Sequence, residues 1–251
     1  MDLGLKDRVY VVTGATRGLG HATARQLVAE GAKVVVTGRT AESAGAAARA
    51  LGPDAHGVAA DNADPATPQR LVDAARERFG GFDGILISVG GPAAGPVATA
   101  PDEAWRDAFD SVFLGALRLA RTAAGELGAG GVIGFVLSTS VRQPIPGLGI
   151  SNGLRPGLAM AAKTLADELG PRGVRALGLL PGRIDTDRVR ELDGLNPDPA
   201  AAREAAAAGI PLRRYGTPEE FGRTAAFLLS PAASYLTGLM VPVDGGATRV
   251  L

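Results

Sequence analysis

Residues 13–20 read TGATRGLG, and the three glycines of this run decide the fold. The run follows an apolar segment typical of a buried strand and precedes an amphipathic segment typical of a helix. Glycines let the backbone turn tightly and approach a bound group, whose negative charge then faces the first N–H groups of the helix. This order predicts a dinucleotide site in preference to a plain glycine-rich turn. The candidate contacts are Gly14, Thr16, Arg17, Gly18, Leu19 and Gly20.

The end of the second predicted strand bears on which dinucleotide is bound. Residues 36–40 read VTGRT, where a chain that prefers NAD places a carboxylate against the adenosine 2′-hydroxyl. Arg39 and Arg17 are instead suited to a 2′-phosphate, and each charge-assisted hydrogen bond contributes roughly 1.5–3 kcal/mol. The sequence therefore predicts NADP rather than NAD, with a preference of at least about tenfold. The alternative is that both arginines are solvated surface charges.

The rest of the chain alternates short β-branched or aliphatic runs with longer helical patterns. This alternation predicts an α/β fold, a single Rossmann-type doubly wound domain over residues 1–251 with about seven parallel strands flanked by helices. The predicted strands are 8–13, 33–38, 56–60, 84–88, 132–138, 174–180 and 239–243. The predicted helices are 19–30, 41–51, 65–79, 102–127, 148–169, 199–208 and 218–229.

Residues 183–215, called the lid below, interrupt this alternation. The segment is charged, contains Pro197, Pro199 and Pro211, and lies between the sixth strand and the last helix. Long connections inside compact domains are usually functional. We therefore expect a mobile lid over a pocket, with Tyr215 as the only tyrosine of the chain in a mobile segment.

Composition excludes several classes of function. The 251 residues carry 26 basic and 26 acidic side chains, so no net field attracts nucleic acid or an anionic membrane. Cysteine is absent and histidine occurs twice, which argues against a metal site. No apolar run has the roughly 20 residues that cross a bilayer, and no signal-peptide pattern opens the chain. We expect a cytoplasmic protein that acts on a small molecule.

Three further motifs extend the pattern beyond the glycine run. Asp61 and Asn62 follow the third strand, residues 181–186 read PGRIDT, and residues 236–246 read LTGLMVPVDGG. Together with the glycine run, these motifs resemble the short-chain dehydrogenase/reductase family over nearly the whole chain. The resemblance implies further cofactor contacts at Asp61, Asn62, Gly90, Arg155, Pro181, Gly182, Ile184 and Thr186. It also implies a homotetramer or dimer, formed through helices 102–127 and 148–169 and the C-terminal strand.

The catalytic positions depart from the family pattern of Asn, Ser and YxxxK. Ser138 matches the family serine, but Ser151 stands at the tyrosine position and Arg155 at the lysine position. Val112 occupies the asparagine position, and the NNAG turn keeps only its glycine, Gly90. Since a serine hydroxyl is a poor proton donor and a guanidinium stays protonated, general acid catalysis typical of the family would be weakened by about 10²–10⁴ in rate.

Two functions remain open at this level. The first is an NADP-dependent oxidoreductase that interconverts a carbonyl and an alcohol, 3-oxoacyl-like by analogy, with Ser138, Ser151 and Arg155 at the substrate oxygen and water as proton source. The second is an NADP(H)-binding protein with little or no catalysis, a redox sensor or an inactive assembly partner. A hydrolase elbow at 149–153, GISNG, is disfavoured because both histidines precede it.

Overall fold

Seven parallel strands form one sheet in this computed structural model, which describes residues 2–250. The strands are β1 (Val9–Val12), β2 (Lys33–Gly38), β3 (Ala55–Ala59), β4 (Gly84–Ser88), β5 (Val132–Val136), β6 (Arg175–Pro181) and β7 (Met240–Val243). Their order across the sheet is β3-β2-β1-β4-β5-β6-β7. The predicted α/β fold of the Rossmann type is therefore confirmed.

Helices cover both faces of the sheet. They are α1 (Gly18–Ala29), α2 (Ala41–Leu51), α3 (Thr67–Phe79), α4 (Asp102–Ala108), α5 (Gly115–Glu126), α6 (Gly149–Leu169), α7 (Asp187–Asp193), α8 (Pro199–Ala208) and α9 (Pro218–Leu229). One core layer joins α1, α2 and α9 to the sheet through Leu27, Ala47 and Phe221. The opposite layer joins α3, α5 and α6 through Leu71, Leu119 and Leu158. These six helices thus bury their apolar faces on the sheet.

One predicted helix and the lid differ from the observed structure. The predicted helix 102–127 is interrupted by a π-helical turn, Phe109–Leu114, which lies around the buried Val112. The lid is not an open loop, because α7 and α8 both fold within it and α7 was not predicted.

The order of the strands reverses at β1, which pairs with β2 on one side and with β4 on the other. Thr13 and Ser88 link the carboxyl ends of β1 and β4: the Thr13 hydroxyl donates to the Ser88 carbonyl at 3.1 Å and accepts the Ser88 N–H at 2.9 Å. Ligands of such sheets bind outside the carboxyl ends of the strands at this reversal. The glycine run lies there.

Residues 2–250 contain neither a membrane-spanning helix nor a cluster of metal-binding side chains. No helix there is long and apolar enough to span a bilayer. In the same residues, no three His, Asp or Glu side chains gather where they would hold a metal ion.

Candidate cofactor and active site

The glycine run forms a tight turn against the end of β4. Gly14 has a φ of +57°, and a Cβ there would lie 2.4 Å from the Ser88 carbonyl oxygen, so only glycine fits. A Cβ on Gly20 would lie 2.6 Å from the Gly14 carbonyl oxygen. The first turn of α1 contains no acidic residue, and Arg17 at its start makes no capping bond with its side chain. The helix amides therefore suit a diphosphate.

Two contacts, from α1 and from the end of β2, fix the position of the glycine turn. The His21 ring nitrogen Nδ1 lies 3.1 Å from the Ala15 carbonyl oxygen, so this histidine braces the turn. Gly38 at the end of β2 is in contact with the turn, since a Cβ there would lie 2.4 Å from Thr16 Cγ2. The end of β2 and the glycine turn consequently form one surface, and Arg39 is the next residue along it.

The two candidate arginines for a 2′-phosphate differ in their present partners. Arg39 is exposed and makes no ion pair or side-chain hydrogen bond among residues 2–250. Arg17 is also exposed, but its Nη1 lies 3.3 Å from Asp187 Oδ2 at the start of α7. A phosphate would meet Arg39 directly, whereas it would compete with Asp187 for Arg17.

Asp61 and Asn62 form a fixed turn after β3. The Asp61 carboxylate accepts the Ala63 N–H at 2.9 Å, and its carbonyl accepts the Thr67 hydroxyl at 2.7 Å. Asn62 is packed against the start of α5, because a Cβ on Gly115 would lie 2.4 Å from the Asn62 carbonyl oxygen. The turn therefore forms one wall of the candidate cofactor cleft, next to the end of β3.

The PGRIDT segment leads from β6 into the lid and approaches the glycine turn. The Gly182 N–H donates to the Val243 carbonyl at 3.0 Å, and Ile184 is buried. Thr186 caps α7 by accepting the Val189 N–H. A Cβ on Gly18 would lie 3.7 Å from Thr186 Cγ2, so two residues 168 positions apart in the sequence are in near contact. The segment therefore lies at the same edge of the sheet as the glycine turn, the edge formed by the carboxyl ends of the strands. Its candidate contacts are Pro181, Gly182, Ile184 and Thr186.

Arg155 lies in α6 with its guanidinium buried, 5% exposed. Nη1 donates to the Val136 carbonyl at 2.7 Å and Nη2 to the Gly90 carbonyl at 3.3 Å, whereas Nε has no partner among residues 2–250. Burial lowers the pKa of Arg155 to about 10, because a charged group is costly to desolvate. The side chain is still a cation at neutral pH, and two of its five N–H groups tie the last residue of β5 to the loop after β4.

The serines lie on the two elements that Arg155 joins. Ser151 is buried in α6, one turn before Arg155 on the same helix face. Ser138 follows β5, is half-buried, and accepts the Ser140 N–H at 3.1 Å, which starts the helical turn Thr139–Val141. That turn packs on α6. The structure thus brings Arg155 to the end of the strand that leads to Ser138.

Asn152 is a site-building residue that sequence reasoning missed. Its side-chain oxygen accepts the Ile145 N–H at 3.0 Å, and its amide donates to the Ile145 carbonyl at 2.9 Å. This pair of bonds fixes the loop 142–148 to the start of α6. A polar residue directly after Ser151 at a helix start was the available signal.

Hydrogen bonds, an ion pair and a cation–π contact fix the lid in place. Arg188 Nη2 donates to the Pro92 carbonyl at 2.8 Å, which ties α7 to the loop after β4. Asp193 accepts from Arg183 at 2.9 Å and from the Tyr215 hydroxyl at 3.2 Å. The Arg203 guanidinium lies 4.3 Å from the centre of the Tyr215 ring.

The expectation that Tyr215 is mobile is therefore wrong, since its ring is 6% exposed and fixed on both sides. Burial, the largest cause, raises the pKa of Tyr215, so the phenol stays protonated. This tyrosine packs the lid, and its hydroxyl donates a hydrogen bond to Asp193. A surface cleft of about 440 Å³ lies beside it against α8 and is not lined by Ser138, Ser151 or Arg155.

Comparisons with known proteins agree with this geometry. The family model described as Enoyl-(Acyl carrier protein) reductase matches residues 14–248. The short-chain reductase protein NovJ of Streptomyces niveus is 34% identical over 248 residues, which cover 96% of this chain and 94% of NovJ. Levodione reductase of Leifsonia aquatica is 35% identical over 257 residues, which cover 96% of this chain and 94% of that enzyme.

A solved structure is similar over its full length. L-Sorbose reductase of Gluconobacter frateurii, in complex with NADPH and L-sorbose, superposes with a TM-score of 0.90 at 31% identity and covers 100% of both chains. With the family match, the relatives and the sheet order, this places the chain in the short-chain dehydrogenase/reductase family. It is an oxidoreductase of that type.

Proposed function

We propose that this protein reduces a carbonyl compound with NADPH, or runs the reverse reaction with NADP⁺, through a site that lacks the family tyrosine and lysine. The choice of NADP rests on Arg39. This exposed arginine lies beside the glycine turn, at the position where a chain that prefers NAD has a carboxylate. L-Sorbose reductase, which is similar over 100% of this chain, was solved with NADPH bound, and this supports the same choice.

The proposed cofactor contacts divide along the cleft. The diphosphate lies on the glycine turn and the start of α1, and the 2′-phosphate on Arg39 and Arg17. Asp61 and Asn62 flank the adenine end, while Gly90 and the 181–186 segment flank the nicotinamide end. The full proposed set is Gly14, Thr16, Arg17, Gly18, Leu19, Gly20, Arg39, Asp61, Asn62, Gly90, Arg155, Pro181, Gly182, Ile184 and Thr186.

A hydride for the carbonyl carbon would come from NADPH when it is bound, and the carbonyl oxygen would take up the electron pair of the C=O bond. Ser138 and Ser151 are proposed to donate hydrogen bonds to that oxygen. Ser138 uses its oxygen to accept the Ser140 N–H, which leaves its own hydrogen available. The Arg155 cation favours the negative charge that develops on the oxygen, but it does not release a proton near neutral pH. Water is therefore the proposed proton source.

The lid, residues 183–215, is proposed to cover the substrate. Its helix α7 bridges the glycine turn, through Arg17 and Asp187, and the loop after β4, through Arg188 and Pro92. Because these contacts join α7 to the glycine turn and to the loop after β4, we propose that α7 moves when the cofactor enters. The exposed ion pair between Arg17 and Asp187 can break and form again at little cost in free energy.

We also propose a homo-oligomer, a dimer or tetramer. Phe109 is 45% exposed and Met160 is 65% exposed on the outer layer formed by α4, α5 and α6. Tyr235, fully exposed, and Leu239, 41% exposed, precede the edge strand β7. Apolar side chains on an outer helix layer and at an unpaired strand edge favour burial against another copy.

The deciding experiment follows NADPH oxidation at the nicotinamide absorbance with a panel of ketones, quinones and 3-oxoacyl thioesters. The proposal expects turnover with at least one of these, and a drop of about 100-fold in kcat/KM for Ser138→Ala. NADPH binding, followed by fluorescence on the same sample, without turnover of any panel member would contradict the proposal. It would favour a redox sensor or an inactive assembly partner.

A further inference from the structure

Arg188, the second residue of α7, reaches from the lid to the loop after β4. Its Nη2 donates to the Pro92 carbonyl at 2.8 Å, and a Cβ on Gly91 would lie 3.0 Å from its Nε. Its Nη1 lies 3.6 Å from Glu191 Oε2, which is too long for a hydrogen bond. The side chain is 39% exposed. Most of its N–H groups are therefore accessible and make no hydrogen bond within residues 2–250.

The loop that Arg188 contacts is also held by Arg155, a residue of the candidate active site. Arg155 Nη2 donates to the Gly90 carbonyl at 3.3 Å, so the two arginines contact consecutive residues, Gly90 and Gly91. Backbone dimensions then limit Arg155 Nη2 and Arg188 Nε to a separation of no more than about 14 Å. One small molecule can span this distance.

The charges around this loop do not balance. Residues 89–100 contain no charged side chain, and Arg155 makes no ion pair within residues 2–250. Arg188 has only the long contact to Glu191, whose side chain is 54% exposed. The other acids of residues 183–193 pair with other arginines; they are Asp185, Asp187 and Asp193. Two cations thus face an uncharged loop, and this arrangement attracts an anion.

The direction of Arg188 indicates which anion this is. Consecutive residues of a helix point about 100° apart. Asp187 is directed to the glycine turn, where it lies 3.3 Å from Arg17, whereas Arg188 is directed to the loop after β4. In the proposed function the diphosphate lies on the glycine turn and Gly90 flanks the nicotinamide end. Arg188 is therefore on the substrate side of α7.

We propose that Arg188 is a specificity-determining residue that binds a carboxylate of the substrate, so that the substrate is an oxo acid. This inference rests on the proposed reductase function, in which Ser138, Ser151 and Arg155 hold the carbonyl oxygen. Arg188 stays a cation and forms no covalent bond. Its planar fork suits a carboxylate, which accepts two N–H groups side by side. The distance limit admits two to four methylene groups between carbonyl and carboxylate.

The test measures binding to the complex with NADP⁺, which cannot reduce a carbonyl. The probes are 4-oxopentanoate, 5-oxohexanoate and 6-oxoheptanoate, each with its methyl ester, titrated by calorimetry. We expect at least one acid to bind at least about tenfold more tightly than its ester, with a difference that shrinks at high salt. Arg188→Gln should bring the two affinities within twofold and leave the NADPH Kd within twofold of wild type. Arg188→Lys should retain part of the difference, because it keeps the charge without the fork.

Arg190→Gln is the matched control. Arg190 lies on the same helix, but it pairs with Asp185 and Asp187, so its loss should leave the ratio of acid to ester affinity unaltered. Equal binding of acid and ester by wild type would overturn the proposal, as would a ratio that persists in Arg188→Gln or falls equally in Arg190→Gln. A large rise in the NADPH Kd of Arg188→Gln would assign this arginine to the cofactor diphosphate and also overturn it.

NADPH oxidation with the same acids and esters separates this inference from the reductase proposal. Acids that bind through Arg188 but are not reduced would support the carboxylate site while contradicting the reductase function. Reduction of acids and esters with equal kcat/KM would support a reductase and overturn the role of Arg188. If both proposals hold, kcat/KM for the acid should fall at least about tenfold in Arg188→Gln, and kcat/KM for the ester should not change.

Discussion

Arg155 donates from Nη1 to the carbonyl oxygen of Val136 at 2.7 Å, which joins the first third of α6 to the last residue of β5. The same guanidinium reaches the Gly90 carbonyl with Nη2 at 3.3 Å. One side chain therefore fixes the ends of two neighbouring strands where the site lies. A planar fork with separate N–H groups can reach two carbonyls at once, which a single ammonium does less well.

Arg155→Lys tests this double attachment. The lysine keeps the charge but gives up the planar fork, so we expect a loss of about 1–2 kcal/mol in the free energy of unfolding by urea. The NADPH Kd should rise as well, because the loop that carries Gly90 loses an attachment. Arg172→Lys is the control, since Arg172 also donates to two backbone carbonyls, of Ala124 and Leu127, but is exposed. Equal losses in the two variants would contradict a special role for the buried fork.

Arg39→Asp tests the assignment of the 2′-phosphate. Reversing this charge should raise the NADPH Kd at least about tenfold and narrow the gap between NADPH and NADH, because a carboxylate repels phosphate and accepts ribose hydroxyls. Fluorescence titration with both cofactors measures the change. Arg49→Asp makes the same charge reversal further along α2 and should leave the ratio of the two Kd values unaltered. An unchanged ratio in Arg39→Asp would remove Arg39 from the cofactor site.

Asp187→Asn tests the competition for Arg17. The Arg17–Asp187 pair is exposed, at 66% and 49% of the two side chains, so its strength is small. Removing the acid should nevertheless leave Arg17 available to phosphate and lower the NADPH Kd by roughly two- to fivefold, with less effect on NADH. Glu191→Gln, on the same helix but paired with Arg188, is the control. Weaker NADPH binding in Asp187→Asn would show that the pair assists the cofactor rather than competing with it.

The fold was largely predictable because its signals are local. The glycine run, the apolar strands and the helix starts each depend on neighbouring residues, and β2, β4 and three helices have the predicted bounds. A parallel sheet with helices on both faces follows from their alternation.

The lid was not predictable in the same way. Helix α7 has seven residues, too few to show a helical period, although Thr186 and Asp187 form a usual helix start. Its position depends on Asp187 meeting Arg17 and on Tyr215 meeting Asp193, contacts between residues 170 and 22 positions apart. The contact of Arg188 with the loop after β4 is likewise a property of packing, which no spacing in the sequence reveals.

Tyr10→Phe tests how the free energy of unfolding depends on pH in alkaline solution. Tyr10 is 1% exposed, and its hydroxyl donates to the Leu229 carbonyl at 3.2 Å. Burial, the main cause, raises the pKa of Tyr10 to about 12. The unfolded chain then releases the phenol proton near pH 10, while the folded chain retains it to about pH 12. Folding stability from this group is fully present below pH 10 and is lost as the pH rises through about 12.

The loss across that window is about 2–3 kcal/mol, from the shift of two pKa units. Urea unfolding at several pH values between 9 and about 11.5 should show wild type losing stability that Tyr10→Phe does not lose. Buried Arg155 has the opposite effect, because its lowered pKa adds stability as the pH rises above about 10, but it is present in both proteins and cancels. Parallel curves for wild type and Tyr10→Phe would mean that the phenol is not shielded from solvent as its burial implies.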